Sequence, residues 1–347
     1  MEVCIAGDAI GAGQPCWVIA EAGVNHNGDA NKAHELVEAA ARAGANAVKF
    51  QTFKAEKLVS KSAPQAEYQK KNAPEVSQWE MLKKLELPIS VFQELAQHAQ
   101  QRGLVWLSTA FDEESADQLA EMQMPAWKIP SGEITNLPFL AKLAATGKPL
   151  LISTGMCNLG DVEAAVETVE RAGGKELVLL HCVSSYPAPA EAVNLKAMKT
   201  LAETFGYPVG YSDHTLGCEV AWAAVALGAC VLEKHFTLDN KLPGPDHAAS
   251  LEPEELKALM KGIRTIEAAM GDGRKRPAEA ERDTAAVARK SLVATQTILA
   301  GELFTSQNFD CLRPGTGLPP KVAHHFLGRA ARRQIAAGEM LTWDMVE

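Results

Sequence analysis

Short apolar runs alternate along the chain with longer segments in which apolar residues recur every three or four positions. Short runs of this kind are typical of buried parallel strands, and the longer segments have the periodicity of amphipathic helices. Several helical segments end with a Gly just past the periodic pattern, where helices commonly stop. Eight strands are predicted in this way, at residues 17–23, 46–52, 104–110, 126–130, 149–155, 177–182, 208–214 and 230–236.

This alternation predicts the α/β class and a (β/α)8 barrel, the TIM barrel, which usually takes about 250 residues. A doubly wound open sheet is the alternative, and it is disfavoured because no Gly-x-Gly-x-x-Gly sequence follows the first strand. Residues 3–10 are predicted to form a hairpin at the bottom of the barrel. Residues 54–88 form a polar, Lys-rich insertion after the second strand, of the kind that shapes the entrance to a substrate site.

The composition changes at residues 271–290, which are charged, contain a Pro and lack a predicted strand. Beyond them lie short predicted strands with a repeated Ile-x-Ala-Gly-Glu pattern. We predict a barrel domain at 1–275, a linker at 276–288 and a small β-rich domain at 289–347. A domain of this size is near the lower limit of independent stability, so we expect the barrel or a second subunit to stabilise it.

Charge and cysteine usage narrow the class of function. The net charge is −9, and nucleic acid phosphates require Lys and Arg, so nucleic acid is not expected as a partner. The seven Cys include no Cys-x-x-Cys pair, and no apolar run is long enough to span a bilayer. The N-terminus lacks the features of a signal peptide. We therefore expect a reduced, cytoplasmic protein that does not bind membranes.

Polar residues collect at the carboxyl ends of all eight predicted strands, which is where the active sites of such barrels lie. His214 and His235 end the last two strands, and neighbouring strands are about 4.8 Å apart, so their imidazoles can converge on one ion. Two nitrogen ligands with carboxylate oxygens suit a divalent metal such as manganese, with magnesium or cobalt as alternatives. The competing interpretation is a pair of hydrogen-bonded core histidines.

Three lysines, Lys49, Lys128 and Lys234, are predicted to point from strands into the same site. Together with Ser131, Ser153 and Thr154 they indicate a phosphate-binding clamp, because several cations and hydroxyl donors are what a phosphate requires. A Schiff-base lysine of an aldolase and a structural pairing with barrel carboxylates are the alternatives. Glu21 and Glu133 are the candidate general acid and base, and the sequence leaves open which of them has which role.

These residues lie in longer stretches that resemble the sialic acid synthases, and the likeness runs in order over nearly the whole chain. The C-terminal stretches ARKSLVA, AGELF and RPGTGLPP resemble that family's antifreeze-like SAF domain. The stretches in the barrel are IAEAGVNHNGD, KFQTFKAEKLVS, KIPSGEITNLP, ISTGM, LLHCVSSYPAP, GYSDHT, EKHFTLD and GPDHAASLEP.

The resemblance implies a transferase that condenses phosphoenolpyruvate with the open-chain aldehyde of N-acetylmannosamine, giving N-acetylneuraminate and phosphate by C–O cleavage. His214 and His235 match the metal ligands, and Glu21, Glu133, Lys49 and Lys128 the catalytic residues. Glu133 matches the residue that handles the attacking water. The positions that match phosphoenolpyruvate-binding residues are Lys49, Thr109, Lys128, Ser131, Ser153, Ser184 and Ser212.

Three further residues match sugar-binding positions of the family: Tyr186, Asp246 and Arg313. The tail domain of one subunit carries the matching Arg into its partner's site, so the resemblance implies a domain-swapped homodimer. Ser184 departs from family members that have an Asn there, and this puts the acceptor sugar in doubt. Legionaminate synthase, which uses 2,4-diacetamido-2,4,6-trideoxymannose, is the alternative. A barrel aldolase and a non-enzymatic ice-binding protein are the competing classes of function.

Overall fold

The computed structural model describes residues 2–66, 69–70 and 77–347. The chain divides into two compact units, Met1–Gly271 and Asp272–Glu347. The first unit begins with an antiparallel hairpin of β1 (Glu2–Ile5) and β2 (Asp8–Gly11), as predicted. The predicted insertion at 54–88 lies partly outside the described residues. Among the residues that the structure describes, no helix is both long enough and apolar enough to cross a membrane.

Eight parallel strands follow the hairpin, and each agrees with a predicted strand to within two residues at either end. Hydrogen bonds join them in the order β5-β4-β3-β10-β9-β8-β7-β6, and β5 lies beside β6, which closes the barrel. The strands are β3 (Trp17–Gly23), β4 (Ala47–Thr52), β5 (Val105–Ala110), β6 (Trp127–Ile129), β7 (Leu150–Ser153), β8 (Leu177–Cys182), β9 (Val209–Asp213) and β10 (Val231–His235). The predicted TIM barrel is therefore confirmed.

Helices surround the strands, and the apolar residues of most of them pack with the strands into one buried core. Their ends follow local chemistry: Asp29 caps the first helix, and Gly44 ends it in the left-handed region with φ 81°. The helices of the first unit are α1 (Ala30–Ala43), α2 (Ala55–Leu58), α3 (Gln78–Leu85), α4 (Ile89–Gln101), α5 (Glu113–Glu121), α6 (Leu137–Ala144), α7 (Leu159–Arg171), α8 (Ala190–Val193), α9 (Lys196–Phe205), α10 (Glu219–Ala226) and α11 (Pro253–Met270).

The second unit has its own small core, built around Phe304, Phe309 and Phe326. It contains α12 (Arg282–Ala288) and an antiparallel pair of strands, β11 (Ser291–Ala294) and β12 (Phe309–Leu312). Isolated bridges such as Ile298 with Ile335 join the two Ile-x-Ala-Gly-Glu repeats. The segment predicted as a linker at 276–288 is partly helical in the structure.

The side chains of successive strand residues alternate between the barrel interior and the helical layer. In β10, Glu233 and His235 line the interior cavity, so Lys234 points to the opposite side. There its Nζ lies 2.6 Å from Asp213 Oδ2, and both side chains are fully buried. The prediction that Lys234 joins the other lysines in the site is therefore wrong. The strand period, which places every second residue outside, is the reason.

Replacing Lys234 with Met should strongly destabilise the barrel, because it leaves the Asp213 carboxylate buried without its cation. Removing one partner of a buried ion pair costs about 3–5 kcal/mol. Urea unfolding followed by far-UV circular dichroism measures the effect. Lys142→Met is the control, since the Lys142–Asp117 pair is exposed and such pairs contribute about 1 kcal/mol or less. Equal decreases in the free energy of unfolding of the two variants would contradict this account.

Candidate active site

The carboxyl ends of the barrel strands surround a cavity of about 460 Å³. This is the end at which barrels of this kind carry their active sites. A larger cleft of about 630 Å³ lies beside α5 and is lined mainly by acidic side chains. Of these two, the central cavity is the one in which described lysines, histidines, hydroxyls and carboxylates meet, so we take it as the candidate site. Of the predicted site residues, those that line it are Glu21, Lys49, Thr109, Lys128, Ser131, Ser153, Ser184, Tyr186, Ser212, His214, His235 and Asp246.

Lys49 is the centre of a buried network on the floor of the cavity. Its Nζ lies 2.7 Å from Glu21 Oε2 and 3.6 Å from Glu233 Oε2, and it donates to Thr109 Oγ1 at 2.9 Å. Gln51 Nε2 donates to the other oxygen of Glu21 at 3.1 Å. The register pairs Glu21 with Lys49, so two adjacent strands bring the opposite charges side by side.

Lys128 enters the same network from β6, with its Nζ 3.5 Å from Glu233 Oε1. Ser212 Oγ donates to that oxygen at 3.0 Å. Glu233 therefore lies between two lysines and bridges β4 and β6 across the barrel. Two lysines balance two glutamates here, which allows all four to be buried.

Their surroundings drive the pKa values of the two glutamates apart. Burial raises the pKa of Glu21 to about 7, even though Lys49 opposes the shift. Burial acts on Glu233 in the same direction, but Lys128 and Lys49 outweigh it and lower the pKa of Glu233 to about 2. Burial also lowers the pKa of Lys128, whereas Glu21 and Glu233 overcome burial and raise that of Lys49. One carboxyl can thus exchange a proton near neutral pH while the other stays charged.

A row of hydroxyl groups lies on the wall next to the lysines. Ser131 Oγ accepts a hydrogen bond from the backbone N–H of Gly155 at 2.9 Å. A Cβ at Gly155 would lie only 2.4 Å from Ser184 Oγ and 2.7 Å from Ser131 Oγ, so Gly is needed for this close approach. The Oγ of Ser153 is buried and has no hydrogen-bond partner among the described residues. An unpaired buried hydroxyl is suited to receive a ligand.

His214 and His235 lie together at the other side of the cavity, with ring centroids 5.5 Å apart, and the Tyr186 ring lies 4.1 Å from His214. Val183 O lies 2.8 Å from His214 Nδ1, which leaves Nε2 as the ligand atom. Burial lowers the pKa of His235 well below its ordinary value, and its Nδ1 has no partner within the described part of the chain. A neutral, unpaired imidazole fits a metal ligand.

Within the described residues, no group of three or more His, Cys, Asp or Glu side chains has an arrangement that could hold an ion. The two histidines would supply two ligands, and the remaining coordination positions would be open to substrate or water. Asp246 lies in the same cavity, and burial raises the pKa of its carboxyl to about 6. The donor set fits a divalent metal with open positions.

The loop that carries Asp246 is fastened to the loop after β3. His247 bonds through Nδ1 to Thr237 Oγ1 at 2.6 Å and through Nε2 to Asn27 Oδ1 at 3.1 Å. Asn27 Nδ2 in turn donates to Pro243 O at 2.8 Å. Through these bonds His247 and Asn27, which the sequence did not identify as site residues, hold the loop of Asp246 in place.

Neither Thr154 nor Glu133 is among the residues that line the cavity, and Thr154 Oγ1 instead donates to Leu180 O at 3.0 Å. Glu133 accepts a hydrogen bond from Asn136 Nδ2 at 2.8 Å, while its neighbours Ser131 and Gly132 face the cavity. Arg313 belongs to the second unit, where its exposed side chain donates from Nε to Ala288 O at 3.1 Å. The roles given to Glu133 and Arg313 stay predictions.

Glu233 lines the cavity but was not among the site residues that the sequence predicted. The signal was available: Glu233 lies two positions before His235, so the strand period puts both on the same face. Gln51, two positions after Lys49, was missed in the same way, as was Cys182, which ends β8. Applying the period of two along each strand would have found all three.

The raised pKa of Glu21 predicts a pH-dependent stability that Glu21→Gln removes. The contribution of Glu21 to the free energy of unfolding has its full value below the ordinary pKa of 4.5. This contribution is lost as the pH rises through about 7. Wild type should therefore lose stability relative to Glu21→Gln between about pH 5 and pH 8. Melting temperatures of the EDTA-treated proteins across this range give the comparison.

Glu56→Gln is the control, because Glu56 is exposed and pairs with Lys83 outside this network, and its own backbone hydrogen bond and Lys83 hold its pKa below the ordinary value, so it stays ionised over the whole range. Its stability difference from wild type should not change with pH. A pH-independent difference for Glu21→Gln would show that its pKa is not raised.

Comparison with known proteins agrees with the barrel and with the small second domain. The profile of the NeuB family matches residues 36–275, and that of the SAF domain matches residues 289–347. An N,N'-diacetyllegionaminic acid synthase of Legionella pneumophila is 49% identical over 97% of this chain and 96% of its own length. One of Campylobacter jejuni is 50% identical over 93% of this chain and 98% of its own.

Among solved structures, an N-acetylneuraminic acid synthetase from Leptospira borgpetersenii, crystallised with citrate, superimposes with a TM-score of 0.73. It is 34% identical, and the match covers 82% of this chain and 95% of that protein. The family profile spans most of the barrel, and the curated relatives match almost end to end. The chain therefore belongs to the NeuB family of sialic acid-type synthases and carries a C-terminal SAF domain.

Proposed function

We propose that this protein condenses phosphoenolpyruvate with the open-chain aldehyde of 2,4-diacetamido-2,4,6-trideoxymannose, giving N,N'-diacetyllegionaminate and phosphate. The observation that carries the proposal is that two lysines, a row of hydroxyl groups and two imidazoles line one cavity. Cations and hydroxyls suit an anionic enol phosphate, and the imidazoles suit a metal next to a carbonyl. The sequence predicted N-acetylmannosamine first, but the relatives favour its alternative.

Lys49 and Lys128 would bind the phosphate and carboxylate of phosphoenolpyruvate. Both are buried, and charged groups attract an anion far more strongly in such surroundings than in water. Thr109 lies on β5, between the two lysine strands, and Ser153 lies at the end of β7, next to β6. Ser212 lies on β9, where it contacts Glu233. The three hydroxyls line the cavity and would orient the ligand. Ser131 and Ser184 extend the same row of donors.

His214 and His235 would hold a divalent metal, with manganese as the first candidate. When bound, the metal supplies a Lewis acid for the aldehyde carbonyl of the acceptor. Tyr186 and Asp246 lie beside the histidines and would orient the acceptor so that its carbonyl carbon faces the enol. Holding both reactants in this way converts a bimolecular step into an intramolecular one.

The reaction balances without an oxidant or reductant. C3 of phosphoenolpyruvate forms the new bond to the aldehyde carbon, and the aldehyde oxygen takes up a proton. Water adds to C2, and the bond from C2 to the phosphate oxygen then breaks, leaving the α-keto acid and phosphate. Glu21, whose pKa of about 7 allows either protonation state, is the proposed proton carrier on the cavity floor. Glu133 is the proposed base for the water.

A barrel aldolase with a Schiff-base lysine is the second candidate, because burial lowers the pKa of Lys128 toward the neutral amine such chemistry needs. The synthase is favoured because each lysine has a carboxylate neighbour and the histidine pair lies in the same cavity. Arg313 and the domain-swapped homodimer stay part of the proposal on the resemblance alone.

Removal of the histidines tests the proposed metal site. His214→Ala and His235→Ala should each reduce phosphate release by about a thousandfold or more, because the carbonyl loses its Lewis acid. Each variant should also bind manganese more weakly, measured by electron paramagnetic resonance titration of the free ion. His181→Ala, whose ring bonds to Val193 O outside this cavity, is the control. Wild-type metal affinity in both variants would overturn the assignment.

The acceptor is tested by a phosphate-release screen with 2,4-diacetamido-2,4,6-trideoxymannose, N-acetylmannosamine and mannose. We expect the highest kcat/KM with the diacetamido sugar, at least about tenfold above N-acetylmannosamine, because the two sugars differ at C4 and C6 and contacts to a single small group already discriminate by about that much. A preference for N-acetylmannosamine would restore the first expectation from sequence. Borohydride trapping of enzyme and substrate, without phosphate release, would instead establish the aldolase.

A further inference from the structure

The charged and the uncharged residues that line the cavity come from different segments of the chain. Every described side chain that lines the cavity and carries a full charge comes from a barrel strand or from the loop after β10. The insertion between β4 and α4 adds only uncharged lining residues among those described, although this segment is rich in Lys and Glu. The described charged side chains of the insertion therefore lie outside the cavity lining.

Helix α3 shows how this sorting occurs. Its residues at helical spacing i, i+3, i+4 and i+7 line the cavity, and its charged residues lie on the other face. Lys83, for example, pairs with Glu56 and Glu86 at 3.2 and 3.0 Å. The four lining residues of α3 are Gln78, Met81, Leu82 and Leu85.

The helix is held firmly in this orientation. Met81 and Leu85 are buried in an apolar cluster with Val24 and Phe53, and Leu58 and Leu82 pack against it. The start of the barrel also restrains the helix end, because a Cβ at Gly28 would lie 2.5 Å from the Lys84 carbonyl oxygen. Leu82 stays partly exposed to the cavity although it touches this cluster. An apolar side chain in that position is available to a ligand.

We propose that the uncharged wall formed by α2 and α3, with Leu58 and Leu82 at its exposed part, selects the acceptor sugar. It receives the methyl-bearing end of the acceptor, the 6-deoxy methyl and an acetamido methyl, and disfavours a hydroxyl or a phosphate there. This inference rests on the proposed function and deepens it, because it names the side chains that choose the acceptor.

The chemical groups of the candidate acceptors show why this wall would distinguish between them. N-acetylmannosamine has hydroxyls at C4 and C6, where the proposed acceptor has an acetamido group and a methyl. A hydroxyl placed against Leu58 and Leu82 loses its bonds to water without regaining them, whereas a methyl gains from burial. The wall's polar groups, the side chains of Gln69 and Gln78, are amides, which match an acetamido group in polarity.

A phosphorylated acceptor is disfavoured for a related reason. A phosphate at the far end of the sugar would require a cation on this wall. Of the described lining residues, the lysines are Lys49 and Lys128, and both lie on the floor next to carboxylates. Both are already assigned to phosphoenolpyruvate. The described part of the wall therefore suits an acceptor with methyl groups better than a phosphorylated one.

Leu82→Gln tests this wall, with Leu82→Met as its matched control of similar size and unchanged polarity. We measure kcat/KM for the diacetamido sugar and for N-acetylmannosamine, and the KM of phosphoenolpyruvate. In Leu82→Gln the ratio of the two kcat/KM values should fall by about tenfold, since pocket contacts of this kind discriminate to that extent. The ratio should change less than about threefold in Leu82→Met. The KM of phosphoenolpyruvate should stay the same in both.

Lys83→Gln, on the opposite face of the same helix, should leave the ratio unchanged. If Leu82→Gln melts at a lower temperature than wild type, Leu58→Gln, which changes the wall at α2, provides a second measurement of the same ratio. An equal loss with both sugars, or an unchanged ratio in folded Leu82→Gln and Leu58→Gln, would overturn the inference. Such a result leaves the proposed function intact if wild type still prefers the diacetamido sugar. Wild type that prefers N-acetylmannosamine would instead remove the proposed function and this inference with it.

Discussion

Two lysines and two glutamates are buried side by side at the carboxyl end of the barrel, and their mutual neutralisation is the constraint on which the site depends. Lys49 contacts both glutamates, and Glu233 lies between Lys49 and Lys128. None of the four could be buried alone, because an isolated charge in such surroundings is strongly disfavoured. The closed barrel makes the arrangement possible, since its strands bring residues far apart in sequence to one face.

The same burial gives the carboxyls different properties. Glu233 has two cations as neighbours and stays ionised, whereas Glu21 has one, and burial brings its pKa to about 7. Because the charges of the lysines and glutamates on the cavity floor balance, each lysine can exchange its contact with a glutamate for a contact with a phosphate or carboxylate of the proposed ligand. The histidine pair lies in the same cavity as this floor, which is the arrangement that the proposed anion and metal would require.

The remaining walls are built from elements that the strands do not determine. The loop with Asp246 is fastened by His247 and Asn27, and α3 is fastened by its apolar cluster and by close contact at Gly28. Loops of this kind vary among barrels while the strand ends keep their geometry, which is how one fold supports different substrates. The acceptor is therefore the feature most open to change within the family.

The sequence by itself determined the eight strands, the hairpin, the barrel and most of the residues that meet in the cavity. Alternating apolar runs and helical periodicity are local patterns, and closure of eight strands then places their carboxyl ends together. Only the tertiary structure decided that Lys234 pairs with Asp213 outside the cavity, that Glu233 bridges two lysines, and that Glu133 faces Asn136. Which way a side chain points, and which charge it meets, depends on register and on strands distant in sequence. The pKa of Glu21 has the same origin, because burial and a neighbouring lysine exist only once the barrel has closed.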